Sequence, residues 1–135
     1  MSEPKASPKL KSVENFKKAE SALLFVLWVV VAVLEMKRIR LGLVTSYGAD
    51  LFMPAWLYVV AVQGKTLFRF LGLGTDRPVL VAGIVFGFCV AWELGQKIHW
   101  IPGVFDPLDI VAYAVGVGGV LLIDLWLKHV AGPVR

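Results

Sequence analysis

Four stretches of this chain run for fourteen residues or more without a charged side chain, and nothing else restricts its fold so sharply. They are Ser21–Leu34, Leu51–Gly64, Pro78–Trp92 and Ile110–Ile123. A helix crosses the hydrocarbon core of a bilayer with roughly 20 residues, and about 17 suffice when flanking side chains reach back to the interface. With their flanks the four runs become candidate spans at 21–37, 50–64, 78–96 and 107–127. The second is the shortest. It carries Pro54 where a first turn would tolerate it, and it is either a short span or a tilted one continuing toward Phe70 and Leu71. A soluble domain of 135 residues with 58% hydrophobic and 18% charged residues has too little interior to hide its apolar surface. The same figures exclude a disordered chain and a disulfide-stapled secreted fold. The expected fold is all-α, a polytopic membrane protein with four transmembrane helices in a compact bundle.

The single cysteine, Cys89, falls inside an apolar run, which leaves neither a disulfide framework nor a cysteine metal site. The net charge of +4 comes from residues that flank the apolar runs, so it points to membrane lipids and not to nucleic acid. Residues 1–20 form a basic tail in which Lys9–Ala19 reads equally as an interfacial helix or as a solvated end. Residues 129–135 form a second short tail. With four spans both termini share a side, and that side collects ten Lys and Arg against four on the other. Basic residues favour the cytoplasm. Both termini are therefore expected on the cytoplasmic side of a membrane, although Lys37, Arg38 and Arg40 lie on the opposite side.

Gly83, Gly87, Ala91 and Gly95 recur every fourth residue, and Gly116 lies in the last span with Gly118 and Gly119. Small side chains let helices approach closely where lipid provides no hydrophobic drive to associate. The pattern predicts that spans three and four pack through these residues. A homo-oligomer or a larger membrane complex would use the same surface.

Ionisable residues gather at the outer ends: Glu35, Asp50, Glu93, Asp106 and Asp109, with Gln96 and His99 nearby. Acids at membrane depth are costly and raise a functional expectation. Asp106-Pro107-Leu108-Asp109 has the form of a helix start, with Asp106 as N-cap and Pro107 at the first helical position. Asp50 is likewise expected to cap span two. Glu35 has Arg38 three residues on, and Asp124 has Lys128 four on, so both read as local pairs. Glu93 stands at a helix C-terminus, where the dipole disfavours an anion. Its two readings are a pair with Lys97 and a site shared with Asp109. Enzyme motifs are missing: no HExxH, P-loop, dinucleotide fingerprint or catalytic triad spacing occurs. No cofactor is expected. Whether the carboxylates bind a hard cation is left open by their spacing.

Asp106, Asp109, Tyr113 and Gly116 form the pattern D-x-x-D-x-x-x-[NY]-x-x-G at the start of the last span, and Trp92-Glu93-x-x-Gln96 closes the span before it. From about Ala49 to Leu127 the chain resembles the VanZ-like family of small bacterial multi-span membrane proteins. It departs from that family in lacking an Asp-Lys…His element at span two and in having Tyr113 where Asn is common. The resemblance implies a cell-envelope role, with a lipid-linked or peptide ligand at the outer face and a candidate ligand or ion cluster of Glu93, Asp109, Asp106, Asp50 and Gln96. The alternative is a non-catalytic accessory subunit of a larger membrane complex. A small transporter is disfavoured because no charge falls in mid-membrane.

Overall fold

The computed structural model describes residues 8–64 and 77–131, and within them all regular structure is α-helix. The helices are α1 (Pro8–Met36), α2 (Leu43–Gln63), α3 (Pro78–Lys97) and α4 (Pro107–Ala131). All four are long and apolar enough to cross a membrane, as in a multi-pass membrane protein. Span two's suggested continuation toward Phe70 and Leu71 lies outside the described residues.

Named contacts fix the topology. Val31 meets Gly48, and Phe25 and Trp28 pack on Trp56, with the two indoles parallel and 6.3 Å apart. Gln63 donates to the carbonyl of Lys17 at 2.7 Å. These pairs run in opposite order along the chain, so α1 and α2 are antiparallel. Asp50 with Tyr113 and Tyr58 with Asp124 run in the same order, so α2 and α4 are parallel. The bundle is therefore up-down-up-down. One end carries the connections 37–42 and 98–106, here called the loop end; the other is the terminal end. Helix α2 packs on all three others, and around it Ala55, Tyr58, Val59, Val81, Ala82, Val85, Val117 and Val120 form the apolar core.

At the loop end α1 and α3 stop in the same way. Arg38 and His99 take left-handed φ values of 57° and 61°. Their amides, and those of Ile39 and Trp100, bond back to Glu35, Gln96, Leu34 and Gly95 at 2.9–3.0 Å, which satisfies carbonyls that helix ends leave open. Helix α2 begins at Leu43, seven residues before the expected Asp50. Gly42 provides the φ of 60° needed there, and Thr45 accepts from the Leu41 amide at 3.0 Å while donating to the Gly42 carbonyl. Asp50 is thus no cap. Pro54 also lies in the helix interior and not in a first turn. Having no N–H, it leaves the carbonyl of Asp50 without its helical donor. The basic segment expected as a tail or interfacial helix is continuous with the first span from Pro8 onward.

Helices α3 and α4 do pack together, but not through the expected row of small residues. A Cβ on Gly83 or Gly87 would meet nothing within 4 Å, and Ala91 is exposed. The inward face of α3 is Val81, Ala82, Val85, Cys89 and Glu93. A carboxylate must face the bundle interior, so Glu93 sets the rotation of the helix. Successive residues stand about 100° apart, which turns Gly83, Gly87 and Ala91 outward. Gly95 is buried beneath Ile101 of the following loop. Helices α2 and α4 approach closely at Gly116, where a Cβ would lie 2.2 Å from the carbonyl oxygen of Leu51.

Candidate functional site

Near the loop end three helices bring one polar side chain each to a common point. Tyr113 of α4 donates its hydroxyl to Glu93 Oε1 of α3 at 2.7 Å and reaches Asp50 Oδ1 of α2 at 3.3 Å. Tyr113 and Glu93 are 3% and 2% exposed. At 1.5 Å per residue Glu93 lies about 6 Å inside the end of α3, and Asp50 about 10 Å inside α2. Asp109 is close enough for the charges of Asp50 and Glu93 to act on it.

A phenol has one proton, so Tyr113 serves one acceptor fully at a time. Glu93 Oε2 is buried and has no partner. Neither Asp50, Glu93 nor Asp109 is ion-paired among the described residues. The cluster therefore holds more acceptors than donors, in a place water does not reach freely. A buried acceptor left without a donor costs on the order of 1–3 kcal/mol. Such a site suits a ligand that brings N–H or O–H groups. It does not suit a metal: among the described residues no three His, Cys, Asp or Glu side chains are placed to hold one.

The expected site residues separate into distinct tasks. Asp50, Glu93 and Asp109 come together. The expected pair of Glu93 with Lys97 does not form: Glu93 turns inward to Tyr113, and the Lys97 ammonium lies 5.1 Å from the centroid of the Phe105 ring. Gln96 is apart from the cluster, packed on Gly103, where a Cβ would be 2.5 Å from its amide carbon. Asp106 accepts from the Leu108 amide at 2.9 Å and is the N-cap of α4, while Tyr47 contacts its other oxygen at 3.4 Å. Asp106→Ala is expected to weaken the start of α4 by about 1 kcal/mol, read as a lower thermal midpoint in detergent. Glu35 and Arg38 are both exposed and form no ion pair among the described residues. Three conspicuous positions of the Asp106–Gly116 segment have separate roles: a cap at Asp106, a bridging phenol at Tyr113, and backbone clearance at Gly116.

A second polar cluster near the terminal end was not legible in the sequence. Asp124, 3% exposed, pairs with Lys17 of α1, a partner that its local spacing did not suggest. Tyr58 donates to its other oxygen at 2.8 Å. Glu20, one turn beyond Lys17, has both carboxylate oxygens buried without a hydrogen-bond partner. The faint signal was one acid in an otherwise uncharged stretch of α4, with one tyrosine at matching depth in α2. Among the described residues, the apolar core side chains lie between the two clusters. Comparison with protein-family models, with curated proteins and with solved structures returns no match.

Proposed function

We propose that the chain is a VanZ-like protein of the bacterial cytoplasmic membrane that holds a lipid-linked or peptide ligand of the cell envelope at Asp50, Glu93, Tyr113 and Asp109. The observation that carries this reading is Glu93, a carboxylate 2% exposed with one oxygen unpartnered. Evolution of a purely structural helix contact has no need for such a group, because an apolar residue of similar volume would pack there without the desolvation cost. The ten-to-four distribution of basic residues supports cytoplasmic termini, which sets the loop end, and with it the cluster, at the outer face.

Glu93→Gln keeps the size of the side chain and its capacity to accept from Tyr113 but removes its charge. In a strain lacking the gene and challenged with a glycopeptide antibiotic, the wild-type chain is expected to restore growth and Glu93→Gln to fail. Both proteins should reach the membrane in equal amounts and elute alike from a sizing column. Full rescue by Glu93→Gln would assign the cluster a structural role only.

The second reading, an accessory subunit, is favoured by the outward row Gly83, Gly87 and Ala91, which no helix of this chain covers among the described residues. Native mass spectrometry after gentle extraction separates the two: a stoichiometric partner protein supports the subunit, and retained lipid or peptide supports the ligand site.

A further inference from the structure

The connection between α1 and α2 concentrates cations at the loop end: Lys37, Arg38 and Arg40 stand within four residues. Arg38 and Arg40 line a cavity of about 720 Å³ there, together with Glu35, Ile39, Thr45 and Ser46. That volume falls within the range of small-molecule sites, roughly 300–1,000 Å³. Hydrogen bonds fix its wall on the α2 side, where the hydroxyls of Thr45 and Ser46 both donate to the Gly42 carbonyl, at 3.2 and 3.1 Å. Neither guanidinium is ion-paired among the described residues, and Glu35, three residues before Arg38, lines the same cavity without pairing to it. Nor does α1 need a guanidinium as its cap. The backbone amides of Arg38 and Ile39 already close that helix on the carbonyls of Glu35 and Leu34. Two charged forks therefore face a cavity with no partner of their own.

We propose that this cavity binds the phosphate of an anionic membrane lipid, with Arg38 and Arg40 as the residues that hold it. The site uses none of the residues of the acidic cluster and is independent of the ligand read there. A guanidinium presents its N–H donors in a planar fork that matches two phosphate oxygens. Two such forks against the one carboxylate of Glu35 leave the cavity net positive, which selects an anion. The neighbouring side chains select a lipid over free phosphate. Met36 and Leu43, at either end of the connection, are 82% and 76% exposed, and Ile39 and Leu41 between them are exposed as well. Apolar side chains alternating with cations suit the boundary of a bilayer. The apolar groups rest among acyl chains there, and the arginines reach the layer of phosphates.

The test uses the full chain in detergent micelles, titrated with dioleoylphosphatidylglycerol or dioleoylphosphatidylcholine, with retained lipid counted by native mass spectrometry. The two lipids share their chains and their phosphate, but choline brings a positive charge of its own that repels the arginines. Phosphatidylglycerol is expected to be retained about tenfold better, the scale of one charge-assisted hydrogen bond. Arg38→Gln and Arg40→Gln should each remove most of that preference. Arg40→Lys, which keeps the charge but not the fork, should weaken it. Glu35→Gln takes away the one anion of the cavity and should strengthen it, a gain that a damaged fold does not produce. All three side chains are exposed, so elution and helical circular dichroism should match the wild-type chain. Equal retention of the two lipids by the wild-type chain would overturn the proposal. So would a preference that survives in the double variant Arg38→Gln with Arg40→Gln. Glycerol 3-phosphate that displaces phosphatidylglycerol at equal concentration would overturn the lipid as the source of the phosphate.

Discussion

Gly116→Val is expected to abolish the folded bundle, while Gly87→Leu leaves its thermal midpoint where it is. The contrast is informative because the sequence places both glycines in one expected packing surface. A Cβ on Gly116 would stand 2.2 Å from the Leu51 carbonyl oxygen, a backbone atom that no rotamer change moves aside. Helices α2 and α4 would have to separate, and with them the Asp50–Tyr113 and Tyr58–Asp124 contacts. Overpacking a tight site costs typically 1–3 kcal/mol, and the loss of two buried polar contacts adds to that figure. A midpoint that collapses, or protein that elutes as aggregate, is the expected reading for Gly116→Val. Around Gly87 there is open space within 4 Å, so a leucine there meets lipid or detergent. An unchanged Gly116→Val midpoint would show that α2 and α4 are not this close.

The second large effect is expected at the terminal end. Asp124→Ala removes the acceptor of Tyr58, which is fully buried, and the counterion of Lys17. Breaking a buried pair from one side costs about 3–5 kcal/mol, because the remaining charge keeps its desolvation penalty. Lys17 is 20% exposed and can turn its ammonium toward the interface, so the lower part of that range applies. The double variant Lys17→Met with Asp124→Leu should recover the part of the loss that comes from the unpaired Lys17, since apolar replacements of similar volume carry no charge penalty, while the Tyr58 hydroxyl stays without its acceptor. Thermal midpoints of Lys17→Met, Asp124→Leu and the double variant form the cycle that measures the coupling. Additive losses would mean that the pair contributes nothing to holding α1 on the bundle.

The residues that were readable and those that were not differ in a physical way. Number and type of helices followed from uncharged length, a property each segment carries by itself. The cap at Asp106 was readable for the same reason, since its partner is two residues away. Asp50 misled because a charge in an apolar run looks like the end of that run. It lies within α2, close to Tyr113 of another helix, and nothing near it in the sequence announces this. The row of small residues on α3 was a real periodicity, but periodicity identifies a face and not what the face meets. The burial of Glu93 decides the rotation, and its partner Tyr113 is 20 residues away. The Lys17–Asp124 pair is the extreme case, its members 107 positions apart in the sequence.

That separation also orders events during synthesis. Asp124 leaves the ribosome 107 residues after Lys17, so the first helix is made long before its counterion exists. Until α4 arrives, α1 rests on α2 alone, held by Gly48 against Val31, the Trp28–Trp56 stack and the Gln63 bond to the Lys17 carbonyl. A chain that stops short of Asp124 keeps an ammonium near the bilayer with no carboxylate from α4 to meet it, and Tyr58 keeps a hydroxyl without its acceptor. Closing the Lys17–Asp124 pair therefore marks the arrival of α4 on the bundle. An unanswered ammonium on the first helix is the chemical difference between a bundle that lacks α4 and one that has it.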